Sequence, residues 1–130
     1  MASVVRFNTS KFNVSAERPN PINPIAGQSL LLWLREAAQP KVNVTEPEPE
    51  DWGWYSFASW NGRTYLLGSS ASEEDNGEHE WVLQVVKQRS LVEKVLGRER
   101  MQKDDGLAGF VLQLLKQEPA FRGVSSSAEP

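Results

Sequence analysis

Asp51-Trp-Gly-Trp-Tyr-Ser-Phe-Ala-Ser-Trp60, followed by Asn61-Gly62 and then Arg63-Thr-Tyr-Leu-Leu-Gly-Ser-Ser70, is the stretch whose reading decides the fold. Asn-Gly between two aromatic and aliphatic runs spells a type I′ turn, because both central residues must adopt positive φ. A two-residue turn fixes the register. Trp60 then faces Arg63, Ala58 faces Tyr65, Ser56 faces Leu67 and Trp54 faces Ser69 on one side, while Tyr55, Phe57, Ser59, Thr64, Leu66 and Gly68 occupy the other. Neither side is plainly polar, so the hairpin belongs at the centre of an antiparallel sheet, with one face under helices and the other partly open. Tyr55, Phe57 and Leu66 are expected in the core. Trp52, Trp54, Trp60 and Tyr65 are then the aromatics left for binding, with Arg63 beside the turn.

Working outward, Val4 to Val14 reads as an extended segment with a break near Thr9-Ser10. Glu17 to Pro24 carries three prolines and reads as a connector. Asn23 as cap and Pro24 at the first position predict a helix over 24–38, closed by Pro40. Lys41 to Thr45 is a short candidate strand, and Glu46-Pro-Glu-Pro-Glu50 an acidic proline linker expected to resist helix and ladder alike. A third strand follows at 80–87, where Trp81, Leu83 and Val85 alternate with their neighbours. Ser90 with Glu93 spells a capping box for a helix over 91–96 ended by Gly97. Asp104 or Asp105 caps a second helix over 105–118, where Leu107, Phe110, Val111, Leu114 and Leu115 share one face. The fold class is α+β, with a mostly antiparallel sheet of 3–5 strands packed against all three helices. Residues 1–124 are expected to form one domain and 125–130 a disordered polar tail.

The 130 residues, 39% hydrophobic and 24% charged, are ordinary globular usage. The absence of cysteine excludes disulfides, thiolate metal sites and thiol catalysis, and favours a reducing compartment or a bacterial source. No segment approaches the roughly 18 apolar residues of a membrane span. The start, Met1 to Ser10, has no charged leader and apolar run, so the expected location is the cytoplasm and no membrane partner is expected. Asn8, Asn13 and Asn43 match glycosylation triplets by spelling only.

A net charge of −3 argues against a general nucleic-acid binder. Charge is nevertheless segregated. Glu46, Glu48, Glu50 and Asp51 precede the hairpin and Glu73, Glu74, Asp75, Glu78 and Glu80 follow it, whereas Lys87 to Lys103 holds six basic residues against Glu93 and Glu99. Arg89, Lys94, Arg98 and Arg100 form a second candidate surface, suited to an acidic partner protein or to nucleic-acid phosphates, the acidic total favouring the former.

Chemistry-bearing motifs are missing. His79 is the only histidine, and no nucleophile is placed beside it by motif. The loop from Glu73 to Glu78 lacks the ligand spacing of a calcium loop, and no metal or cofactor is expected. Paired carboxylates such as Glu48 and Glu50 or Glu73 and Glu74 read as solvated acids, a sugar-directed hydrolase being the form of enzyme least in conflict with the sequence. The chain is therefore expected to be non-catalytic.

Tryptophan and tyrosine anchor protein interfaces and also stack on sugars and bases. In general character the chain is similar to the immunity and inhibitor proteins that bacteria make against their own toxins, a likeness of composition that carries no motif. Nothing specific transfers from it; the leading expectation, from the residues themselves, is a protein partner captured by an aromatic sheet or hairpin surface with acidic flanks. The alternative is a carbohydrate- or single-stranded-nucleic-acid-binding domain stacking its ligand on Trp54, Trp60 and Tyr65. Exposed aromatics would also suit a homodimer.

Overall fold

A computed structural model describes residues 2–129. Its frame is an antiparallel sheet built from β1 (Ala2–Thr9), β2 (Asn43–Val44), β3 (Glu48–Glu50), β4 (Gly53–Trp60), β5 (Arg63–Ala71), β6 (His79–Lys87) and β7 (Arg122–Glu129). The order is β2-β4-β5-β6-β1-β7, with β3 pairing the same edge of β4 as β2. Three helices accompany it: α1 (Gln28–Ala37), α2 (Leu91–Leu96) and α3 (Gly106–Gln117).

The central hairpin has the register its turn dictates. Trp60 opposes Arg63, Ala58 opposes Tyr65, Ser56 opposes Leu67 and Trp54 opposes Ser69. Asn61 and Gly62 take φ of 49° and 75°, the left-handed pair of a type I′ turn. The face assignment is reversed relative to expectation. Trp54, Ser56, Ala58, Tyr65, Leu67 and Ser69 point into the core, while Tyr55 and Leu66 are half-buried and Phe57 is exposed. Small residues decide this. Ser69 hydroxyl donates to the Gly27 carbonyl at 2.8 Å, and a Cβ on Gly27 would lie only 2.3 Å from the Ser69 oxygen, so the chain entering α1 seats directly on that side of the hairpin. Leu30, Leu31 and Leu34 of α1, with Leu107, Val111 and Leu115 of α3, then cover Trp54, Leu67, Trp81, Leu83, Val5 and Phe7.

Four expectations change. The helix predicted over 24–38 begins only at Gln28: among the described residues the Asn23 side-chain oxygen accepts no N–H, so it caps nothing, while its NH2 group donates to the Asp51 carbonyl at 2.9 Å. The first N–H groups are received instead by the Glu17 carboxylate, which accepts from Gly27, Gln28 and Ser29 at 3.0, 3.2 and 2.8 Å. The acidic proline linker does join a ladder, since β3 is an edge strand and Pro49 sits where no donor is required. Residues 125–129, expected to be disordered, lie within β7, which pairs with β1 from Ala2 to Asn8 through backbone bonds that need no apolar side chains. Together these raise the strand count to seven.

The fourth change concerns α2. Its capping box forms, Ser90 and Glu93 exchanging bonds, and Gly97 closes it at φ 67°. It does not pack against the sheet, however: Leu91, Val92, Val95 and Leu96 are all exposed. The secure helix, α3, is capped by Asp105, whose side chain accepts from Ala108 N–H at 3.0 Å.

Candidate functional site

With α1 and α3 on one side of the sheet, the opposite side carries Tyr55 and Phe57 of β4, Leu66 and Gly68 of β5, and Val82, Gln84 and Val86 of β6. An uncovered antiparallel face is ordinarily polar. Here it is aromatic along β4. Tyr55 and Phe57 meet edge to face, ring centres 5.6 Å apart and planes at 72°. Phe57 is 39% exposed, and Leu66 and Val86 continue its row across the sheet.

Trp52 completes the patch. It stands on the 51–52 turn ahead of β4, 41% exposed, with its ring against Gly68. A Cβ at position 68 would lie 2.8 Å from Trp52 Cη2 and 2.9 Å from Cζ3, so only glycine lets the indole seat there. Two asparagines hold the turn that presents it. Asn20 donates to the carbonyls of Glu50 and Gly53 at 3.0 and 2.9 Å, and Asn23 to that of Asp51. The proline-rich connector is therefore a brace for the turn. Glu48, opposite Tyr55, with Glu50 and Asp51 lines the patch with negative charge.

The other sequence-selected residues lie elsewhere. Trp54 is fully buried, its indole N–H donating to the Ile25 carbonyl at 3.2 Å. Tyr65 is buried too. Its hydroxyl donates to Asp105 at 2.6 Å, and burial, reinforced by that bond, pushes its pKa well above the usual tyrosine value. Trp60 stacks on Phe110 at 5.7 Å, with the Lys41 ammonium 5.7 Å from the indole and 5.1 Å from the phenyl ring. Arg63 is engaged: it donates to Glu93 at 2.6 Å and ties α2 to the hairpin turn. The Arg63 guanidinium, helped by the Ser90 N–H, holds the Glu93 carboxyl down to about 2. Of the five residues selected from the sequence, Trp52 alone lies in the open patch.

No family model, curated protein or solved structure matches the chain. Its own geometry is what bears on function.

The second basic surface is partly assembled. Arg89, Lys94 and Arg100 line, with Lys87, a cleft of about 430 Å³ beside α2 whose lining holds no carboxylate; Arg98 lies outside that lining. His79 Nδ1 sits 2.7 Å from the Ser72 carbonyl, an ordinary loop contact. In the acidic loop Asp75 and Glu78 bridge through their backbones, and Glu78 pairs with Arg122. Among the described residues no group of three or more His, Asp or Glu is placed to hold a metal, and no helix is long and apolar enough to cross a membrane.

Sequence reasoning missed Tyr55, Phe57, Leu66, Gly68, Asn20 and Asn23 as parts of the candidate site. Gly68, the one glycine inside the strand, is the signal that something approaches closely there.

Proposed function

We propose that the protein is a non-catalytic binding module that engages another protein through the open sheet face around Trp52, Tyr55, Phe57 and Leu66. The observation that carries this reading is the exposure of Trp52 and Phe57, with Tyr55 between them, on a face that no helix covers among the described residues. Aromatic anchors of this kind dominate interface energetics, each contributing about 2 kcal/mol or more on truncation. They are held before the partner arrives, Trp52 by Gly68 and the asparagine-braced turn, so little ordering entropy is lost on binding. Glu48, Glu50 and Asp51 at the rim favour a basic partner and speed its capture. Inhibition of a basic toxin or nuclease is one concrete form of such a function.

Stacking of a sugar or single strand is supported less. Of the platform Trp54, Trp60 and Tyr65, two members are in the core and the third is stacked on Phe110. The test is capture from a nuclease-treated lysate of the source organism, by the native chain and by a Trp52→Ala/Phe57→Ala variant. Recovery of a stoichiometric protein by the first and not the second is expected. Recovery by neither, together with indole fluorescence that responds to oligosaccharides or oligonucleotides, would transfer the reading to the stacking class.

A further inference from the structure

The sheet has two electrically opposite ends. β4, β5 and β6 place residues near Gly53, Ala71 and His79 at one end, and residues near Trp60, Arg63 and Lys87 at the other. Glu50, Asp51, Glu73, Glu74 and Asp75 gather at the first end. Segment 87–103, with α2 inside it, projects from the second.

Within that segment both glutamates are paired, one with the hairpin and one with Lys87 at the end of β6. Glu93 is paired with Arg63 at 2.6 Å and Glu99 with Lys87 at 2.9 Å. Among the described residues Arg89, Lys94, Arg98, Arg100 and Lys103 have no carboxylate partner. The same segment holds four exposed aliphatics: Leu91 at 78%, Val92 at 66%, Val95 at 76% and Leu96 at 57% exposure. At helical spacing they fall within an arc of roughly 140°. Glu93, reaching back to Arg63, lies outside that arc, so the arc faces away from the body. Lys94 lies about 60° beyond one edge of the arc and Glu93, already paired with Arg63, about 60° beyond the other. Apolar surface so exposed and flanked by unpaired cations marks an interaction site.

We propose that α2 with its flanking cations is a peripheral docking element for an anionic phospholipid surface, the four aliphatics entering the boundary of headgroups and acyl chains while Arg89, Lys94, Arg98 and Arg100 meet lipid phosphates. Aliphatics flanked by Lys and Arg are the composition of interfacial helices, whereas Leu and Val are under-represented among the anchors of protein interfaces. A second copy docking symmetrically through α2 would set the same cations against one another. The net charge of −3 does not oppose the contact. The acidic end lies about 27 Å away along the nine residues of β6, well beyond the screening length of about 10 Å at 0.1 M salt. The sequence-based expectation of no membrane partner rested on the lack of a spanning segment, which does not bear on peripheral contact.

The test is co-sedimentation of the full chain with vesicles of phosphatidylcholine alone, and of phosphatidylcholine with phosphatidylglycerol at three to one. Binding to the anionic vesicles alone is expected, weakening as salt rises from about 0.1 to 0.5 M. A Lys94→Ala/Arg100→Ala variant should lose about 30-fold in partitioning, the fold-change for two cations at about 1 kcal/mol each near an anionic surface. Leu91→Ser/Val95→Ser should lose at least about 10-fold through the aliphatic term. Both variants should keep the wild-type urea midpoint, since the altered side chains stand outside the core. Trp52→Ala/Phe57→Ala should bind vesicles normally, which separates this contact from the proposed protein interface. No binding to anionic vesicles, equal binding to neutral ones, or binding indifferent to both α2 variants would overturn the proposal. An α2-dependent protein partner without vesicle binding would overturn it as well.

Discussion

Replacing Glu17 by alanine should destabilise the fold by about 2 to 3 kcal/mol. The carboxylate accepts three N–H bonds, at 3.0, 3.2 and 2.8 Å, from the first residues of α1, and Gly27 has no side chain to take its place. A single lost cap costs about 0.5 to 2 kcal/mol and the charge–dipole attraction adds about 0.3 to 1. Gly27 is buried against Ser69, so water cannot fully replace the lost acceptor there. Glu17→Gln retains an acceptor oxygen and removes only the charge, and should cost about 1 kcal/mol. Urea unfolding monitored by tryptophan fluorescence measures both, with a lowered midpoint at unchanged slope. Asn23→Ala is the control, because a sequence reading makes Asn23 the cap while the structure gives its amide to Asp51. It should cost less than Glu17→Ala. A Glu17→Ala variant within about 0.5 kcal/mol of wild type, or an Asn23→Ala variant that costs more, would refute the remote cap.

Three further outcomes are expected. Gly62→Val should destabilise by about 1 to 3 kcal/mol, since a β-branched residue resists the φ of 75° at that position, and an unchanged thermal midpoint would contradict the turn. Tyr65→Phe should cost about 1.5 to 3 kcal/mol by removing the bond to Asp105. With the Tyr65 pKa raised on folding, that tyrosine's contribution is complete below the unfolded value near 10 and is lost as pH rises above it, so absorbance at about 295 nm should show Tyr65 protonated in the native chain at a pH where unfolding ionises it. Gly68→Ala should leave stability within about 1 kcal/mol, because the new methyl meets the ring of a half-exposed side chain and Ala is the less entropic residue in a strand. In the same variant carrying fluorotryptophan, one fluorine resonance should move as Trp52 leaves its seat.

The hairpin was legible to the last residue pair because turn chemistry is local: Asn61-Gly62 admits one turn, and the turn admits one register. Which face it buries was not legible. Tyr55, Phe57 and Leu66 are as apolar as Trp54, Tyr65 and Leu67, and the choice is made by Ser69, Gly27 and Gly68, whose small size lets other chain segments approach. The caps show the same division. Ser90-x-x-Glu93 and Asp105 cap locally and could be read, whereas Glu17 reaches α1 across the Pro19–Pro24 connector and could not. The 125–129 segment looked like a tail because Ser125-Ser-Ser127 buries nothing, yet its ladder to β1 is made by the backbone alone. For α2, boundaries followed from its capping box, while packing depended on neighbours the pattern does not reveal: its apolar face is exposed. The candidate site therefore emerged from the hairpin the sequence had marked, but on the side opposite to that of Trp54 and Tyr65.

The central claim is that the face bearing Trp52, Tyr55, Phe57 and Leu66 is the one that binds. It is tested most directly by capture from nuclease-treated lysate with the native chain beside Trp52→Ala/Phe57→Ala. A stoichiometric protein retained by the native chain and lost by about 700-fold or more in affinity from the variant is the predicted result, two truncated anchors each being worth about 2 kcal/mol or more. Equal retention by both chains would contradict it.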